Sequence, residues 1–270
     1  MVSDRRETAP VQHDEAEGEL FVSSFARGLR VIRSFSDVHE TQTLANIAKR
    51  AEISRAAARR LVHTLIELGY ARSRGRDFSL TAKVLDLGYS YLSSTTLWAM
   101  AQPYMEEVVA RTGASCSISV LDGDDIIYVA RVSPRQLMRR VVNIGSRVPA
   151  HAVAMGRIQL AALDDPSLEE RLIAMRIEAF TARTVTDRQE LAAMIRRDRE
   201  RGWSVVDREF DEGISGIAMA IRGRENKVIA AANLSLRPEQ VAQEEIVANL
   251  KDELFRLVRI VEQISRSHQP

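Results

Sequence analysis

Two groups of side chains in this 270-residue chain have the types and spacing to do chemistry. The first is cationic. Arg55, Arg59, Arg60 and His63 recur at helical spacing on one side of a run whose other side is Ala58, Leu61, Val62 and Leu65. A guanidinium offers a planar fork of donors that matches guanine in the major groove, and the same fork pairs with phosphate. Arg74 and Arg76 flank Gly75 a short way downstream, where they suit phosphate or the minor groove.

The second group begins at Arg147-Val148-Pro149-Ala150-His151-Ala152-Val153-Ala154-Met155-Gly156-Arg157. Small residues and a glycine near a helix start let a ligand approach backbone N–H groups, and the positive end of the helix favours a carboxylate. Asp207 to Gly213 reads as a polar loop between strands, with Ser215, Gly216, Asn233 and Ser235 on the strands that follow. A helix cap and ordinary turns are the other reading of both stretches.

Catalysis finds no such support. The sequence has no Gly-rich phosphate loop, HExxH, paired cysteines or GxSxG elbow. The histidines at 13, 39, 63, 151 and 268 are scattered. His151, Asp207 and a serine can be drawn as a triad, but any chain of this length offers such a trio. The chain is expected to be no enzyme, with no catalytic residue, metal ligand or cofactor. Cys116 falls on the apolar side of an alternating strand and reads as a small core residue.

The elements that would position the cations follow in order. Phe25, Leu29, Ile32 and Phe35 make the buried stripe of a helix. Thr43 can cap a short helix that buries Leu44, Ile47, Ala48 and Ala51, and Ser54 can cap the arginine-bearing helix, which Gly69 ends. Ser54 has a phosphate contact open to it as well. Tyr70 to Ser73 and Phe78 to Leu80 then form a hairpin tipped by Arg74-Gly75-Arg76-Asp77. Two short helices, the second with a basic face, and a basic-tipped hairpin make a winged helix-turn-helix. Its DNA contacts are expected from Thr43, Ser54, Arg55, Ala56, Arg59, Arg60, His63, Arg74 and Arg76.

Beyond it, Thr81 opens a helix through Leu85, Leu87 and Leu92, and a second runs from Leu97 to about Arg111. This stretch is either a lever between domains or a helix that packs one on the other. From Ser115 the period becomes that of strands: a hairpin turning at Asp122-Gly123-Asp124, and a further strand from Met138 to Ile144. Helices are expected at 153–163, 168–175 and 187–202, strands at 203–207, 214–221 and 228–236, and a closing helix at 238–266. Strands with helices between and after them indicate an α+β domain with an antiparallel sheet. The expected divisions are a disordered acidic tail at 1–20, the winged helix at 21–82, a helical linker at 83–112 and an effector-binding domain at 113–270.

Charge agrees with that division. The net charge of +1 conceals −4 over residues 1–19, +6 over 20–94 and −1 over 95–270, a pattern that places a polyanion-binding module beside a neutral one. A single cysteine in 270 residues excludes an internal disulfide, and no apolar run reaches the roughly 20 residues of a membrane helix. With no signal-peptide core in the first twenty residues, a reducing cytoplasm is the expected location.

These residues resemble the IclR family of transcription regulators. The likeness runs through Phe25-Ala26-Arg27-Gly28-Leu29, Ser54-Arg55-Ala56-Ala57-Ala58-Arg59-Arg60, Leu68-Gly69-Tyr70, Phe78-Ser79-Leu80-Thr81 and Val84-Leu85-Asp86-Leu87-Gly88. It continues in Arg147-x-Pro149-x-His151-x-x-Ala154-x-Gly156-Arg157 and in Asp207-x-Glu209 with Gly213 and Ile217-Ala218. The resemblance implies a two-domain α/β chain, an N-terminal winged helix plus a C-terminal α+β, GAF-like effector domain. It implies a small organic acid effector, held at Ala154, Met155, Asp207, Gly216, Asn233 and Ser235. The partners would be a double-stranded DNA operator, a second copy in a dimer or dimer of dimers, and RNA polymerase. The arginine-rich helix, Gln102-Pro103-Tyr104 and Val120 to Asp125 are most similar to the Pca/Pob subgroup, which controls catabolism of protocatechuate or 4-hydroxybenzoate through the β-ketoadipate pathway. A regulator of another carbon source, an enzyme tethered to DNA and a constitutive architectural binder are the competing readings.

Overall fold

The computed structural model describes residues 20–36, 38–94, 96–134, 142–241 and 244–268. The expected acidic tail lies outside them, apart from Leu20. The chain divides into two units between Ser90 and Tyr91.

The first unit holds helices α1 (Ser23–Arg33), α2 (Leu44–Arg50) and α3 (Arg55–Glu67) with strands β1 (Gln42–Thr43), β2 (Ala71–Arg74) and β3 (Asp77–Leu80). Its core is Val31, Ile47, Ala48, Ala51, Ala58, Val62, Leu65, Ala71 and Phe78. Both expected caps form: Thr43 Oγ1 accepts from the Asn46 amide at 3.4 Å and Ser54 Oγ from the Ala57 amide at 3.2 Å. Gly69, at φ +80°, ends α3 while the Tyr70 amide donates to the Leu65 carbonyl at 2.7 Å. The α1 stripe differs from expectation, because Phe25 and Leu29 are exposed and Val31 is fully buried. α1 approaches α3 at Gly28, beside Leu61. The inward face therefore runs through 28, 31, 32 and 35, which turns Leu29 outward. The sequence also gave no sign of β1, which pairs with β3 to make the wing three-stranded, in the order β1-β3-β2.

A 3₁₀ turn (Ala82–Val84), capped by Thr81, leads to α4 (Leu85–Ser94) and then α5 (Thr96–Thr112). The second unit is a six-stranded, wholly antiparallel sheet in the order β6-β5-β4-β9-β8-β7. Its strands are β4 (Cys116–Asp122), β5 (Asp125–Val132), β6 (Arg147–Pro149), β7 (Ser204–Asp211), β8 (Ile214–Arg222) and β9 (Val228–Leu236). Its remaining helices are α6 (Ala154–Leu160), α7 (Asp165–Ala174), α8 (Arg188–Arg201), α9 (Pro238–Val241) and α10 (Glu244–His268).

Strand alternation gives the sheet two covered faces. Cys116, Ile118, Ile217, Met219 and Leu234 pack against Ala101, Met105 and Val108 of α5 and Leu254, Leu257 and Val261 of α10. The segment read as a connector therefore supplies core residues to this unit. Tyr128, Val206, Ala218 and Ala231 face Met155 and Ile158 of α6, Leu168 and Leu172 of α7, and Leu191 and Ile195 of α8. Each such Leu or Ile side chain removed from water is worth about 1.5–3 kcal/mol.

Two details depart from the expected strands. Of the strand placed at Met138 to Ile144, residues 138–141 lie outside the described residues. Val142 and Asn143 have no regular structure, Ile144 is in a turn, and the strand in this region is instead the short β6. Residues 207–211 are strand rather than loop, but their pairing with β8 lapses between Asp207 and Asp211, and Arg208 takes φ +57°.

Candidate functional site

On the first unit, Arg55, Ala56, Arg59, Arg60 and His63 are all exposed along one face of α3, and the exposed Arg74 and Arg76 flank the wing's turn at Gly75, φ +65°. Ser54, also exposed, holds the first turn of α3, and Thr43 is half-buried at the start of α2. The two helices and the wing thus carry the whole expected set on surfaces open to a duplex.

On the second unit, α6 starts above the sheet and leaves a cleft enclosing about 670 Å³ including its open mouth. Ala154, Met155, Gly216, Asn233 and Ser235 line it together. Asp207 does not. Its register partner on β8 is Ser215, which does line the cleft and whose hydroxyl is turned to the Asp207 carboxylate. The Asp207 carboxylate takes Ser215 Oγ at 2.6 Å, Arg183 Nη1 at 2.9 Å and Arg208 Nη2 at 3.0 Å. The hydrogen bonds from Arg208 and then Ser215, with the charges of Arg208 and Arg183, hold it below the usual carboxylate range. α6 has only seven residues, and its Gly156 and Arg157 amides both donate to the Val153 carbonyl.

The cleft also holds Ser215, named from the sequence, and residues that the sequence did not point to: Tyr128, Arg131, Val142, Val206, Phe210 and Ile214. Tyr128 and Arg131 are three apart on β5, so simple alternation would put them on opposite faces. A bulge between Ile118 and Ser119 shifts the register, setting Ser119 opposite Tyr128 and Ser117 opposite Arg131. Both side chains thereby reach the cleft face. Arg131 Nη1 donates to Ser117 Oγ at 3.1 Å, and burial pushes the Tyr128 phenol up. The Asn233 side chain is about nine-tenths buried and its Oδ1 has no hydrogen-bond partner.

Behind the cleft lies a buried ionic group. Arg157 Nη2 meets Glu209 Oε2 at 2.5 Å, Arg157 Nε donates to the His151 carbonyl at 2.8 Å, and the Val185 amide donates to Glu209 Oε2 at 3.0 Å. Thr181 and Thr184 hydroxyls donate to the Arg208 and Glu209 carbonyls. The segment between α7 and α8 is therefore fastened to the irregular end of β7, beside Phe210 in the cleft wall.

His151 is fully buried, near Phe180, and its Nε2–H donates to the Glu178 carbonyl at 3.0 Å. Its Nδ1 has no partner. Burial, and the Arg157 charge, hold the ring below its ordinary pKa of 6.5. A folded value below the unfolded one makes its contribution complete above about pH 6.5 and lost progressively as pH falls through the folded value. The melting temperature is expected to drop between pH 7.5 and 5.5, and to drop less in His151→Phe. Equal drops in the two proteins would contradict this role. The geometry sets His151 against Phe180 and Glu178 rather than in a Ser-His-Asp arrangement, and Asp207 is engaged by Ser215 and two arginines. Burial pushes the Cys116 thiol up to about 12, which keeps it protonated at neutral pH. Among the described residues no group of three or more His, Cys, Asp or Glu could hold a metal ion, and no helix is long and apolar enough to cross a membrane.

Comparison with known proteins places both units. The IclR helix-turn-helix domain matches residues 24–75, and the bacterial transcriptional regulator IclR C-terminal domain matches residues 89–266. The Pca regulon regulatory protein of Pseudomonas putida is 44% identical over 227 residues, covering 84% of this chain and 78% of that one. The crystal structure of a transcriptional regulator from Rhodococcus sp. RHA1 is 41% identical with a TM-score of 0.80, covering 91% of this chain and 98% of its own. An IclR homolog from Microbacterium hydrocarbonoxydans, solved in complex with 4-hydroxybenzoate, shares the fold at 24% identity and a TM-score of 0.76, covering 89% and 98%. With both units matched in order along one chain, the protein belongs to the IclR family of bacterial transcriptional regulators.

Proposed function

We propose that this protein is a sequence-specific DNA-binding regulator whose operator affinity is set by a small aromatic carboxylate or ring-cleavage acid, and that it governs protocatechuate or 4-hydroxybenzoate catabolism. One observation carries the reading: a single chain joins an exposed guanidinium row on α3 to a domain whose cleft holds a guanidinium and an amide oxygen without a partner among apolar walls. The Pca regulon role of the Pseudomonas relative and the 4-hydroxybenzoate bound by the Microbacterium homolog support the choice of pathway.

In this reading α3 enters the major groove through Arg55, Ala56, Arg59, Arg60 and His63. Thr43, Ser54, Arg74 and Arg76 hold phosphate or the minor groove. The chain works in the cytoplasm, without catalysis, on 21–82 as reader, 83–112 as connection and 113–270 as sensor. Exposed Phe21, Val22, Phe25 and Leu29 support self-association. Where the operator lies relative to the promoter decides whether RNA polymerase is recruited or blocked.

The test is fluorescence-anisotropy binding, at fixed salt, to the duplex upstream of the protein's own gene and to a random duplex. Wild type is expected to prefer the specific duplex, and Arg59→Ala to lose about 1–3 kcal/mol of that preference. Equal weakening on both duplexes would make Arg59 a phosphate contact. Absence of any sequence preference in wild type, extended to a genome-wide binding selection, would remove the regulator reading.

A further inference from the structure

The cleft has a direction, and the sheet register sets it. Ser117 of β4 lies opposite Arg131 of β5 on one side and opposite Asn233 of β9 on the other. Paired residues share a face, so the three side chains form one row across adjacent strands about 4.8 Å apart. Arg131 leans along that row to Ser117, with Nη1 3.1 Å from the hydroxyl. Among the described residues lining the cleft it is the one charged side chain. At the other end of the row is the nine-tenths buried Asn233, with Oδ1 unpaired. An unpaired buried amide oxygen forfeits a hydrogen bond that a ligand hydroxyl would restore. Tyr128 and Phe210 supply flat walls.

We infer that Arg131 is the specificity-determining residue of this cleft. It binds the carboxylate of a hydroxylated aromatic acid whose hydroxyl donates to the Asn233 side-chain oxygen. The inference rests on the effector reading above and adds which residue reads the charge and which way round the ligand lies. A guanidinium partly withdrawn from water pairs strongly with a carboxylate and gains little from the isosteric neutral amide. The hydroxyl end is read by the opposite logic, since a ligand without it leaves the amide oxygen unpaired.

Isothermal titration calorimetry with 4-hydroxybenzoate, 4-hydroxybenzamide and benzoate tests both ends on the full-length protein. Wild type is expected to bind 4-hydroxybenzoate about 10- to 100-fold more tightly than the amide. Arg131→Met is expected to erase that acid-over-amide preference, and Arg131→Lys to restore part of it. Asn233→Ala is expected to erase the preference for 4-hydroxybenzoate over benzoate while keeping acid over amide. Tryptophan fluorescence and melting temperature check that each variant is folded, and Arg131→Gln replaces Arg131→Met should the latter fail. A folded Arg131 variant with an uncharged side chain that still discriminates acid from amide overturns the assignment. Tighter wild-type binding of β-ketoadipate than of 4-hydroxybenzoate overturns the ligand class. Either result leaves the regulator reading standing if acids still shift operator binding, whereas operator binding indifferent to every acid removes the effector reading itself.

Discussion

Alanine in place of Gly156 is expected to destabilise the second unit by more than about 3 kcal/mol, the upper end of ordinary overpacking costs. Gly156 lies in the first turn of α6, where the helix passes the backbone of Ala150. A Cβ at this position would stand 2.1 Å from the Ala150 carbonyl oxygen, 2.3 Å from its Cα and 2.5 Å from its carbonyl carbon. No rotamer relieves a clash between a Cβ and backbone. The Ala150–Ala152 turn cannot retreat cheaply either, because the Ala150 amide donates to the Asp124 carbonyl at 2.9 Å and the His151 carbonyl accepts from Arg157. Both tryptophans, Trp98 and Trp203, belong to the second unit, so their fluorescence in a urea titration reports this unit alone. A transition midpoint unchanged from wild type would mean that α6 does not run this close to Ala150.

Glu209→Gln is the second large effect, at about 3–5 kcal/mol, the range for breaking one side of a buried ion pair. The Arg157 side chain is fully buried and that of Glu209 is 7% exposed. Removing the carboxylate charge strands a guanidinium in low dielectric, while the glutamine still offers an oxygen to the Val185 amide. Arg157→Met with Glu209→Met is expected to cost less than the sum of the two single changes, since no charge is left unpaired. It will not return to wild type, because the His151 carbonyl and Val185 amide then lack partners, at about 1–3 kcal/mol each. A single-mutant loss below about 1 kcal/mol would show that water reaches the pair. The same urea titration measures all four variants against wild type.

Much of the reading head was legible because its signals are local. Ser54, the alternation of Ala58, Val62 and Leu65 with arginines, and Gly69 fix the limits of α3 and the side it exposes within fifteen residues. The cleft was legible only in part. Ala154, Met155, Gly216, Asn233 and Ser235 line one cleft, whereas Tyr128 and Arg131 share its face because Val129 is the extra residue of a bulge in β5, opposite Ile118 and Ser119. Phe210 lines the cleft with Val206 four residues before it, a relation hidden in the sequence because 207–213 reads there as a polar loop rather than as strand. The α1 face went astray for a related reason. A stripe of four apolar residues shows that a helix is amphipathic, but the contact at Gly28 decides which side is inward.

Under the proposed function, occupancy of the cleft changes the affinity of the winged helix for its operator. Because coupling between two binding sites is reciprocal, one anisotropy titration decides it. The operator duplex is titrated with wild-type protein and with Arg131→Met, each with and without saturating 4-hydroxybenzoate at fixed salt. The expected result is a shift of about 5- to 150-fold in the wild-type operator Kd, corresponding to 1–3 kcal/mol of coupling, and little or no shift in the variant. A wild-type Kd that does not move at saturating ligand, bound as calorimetry verifies, would contradict the account.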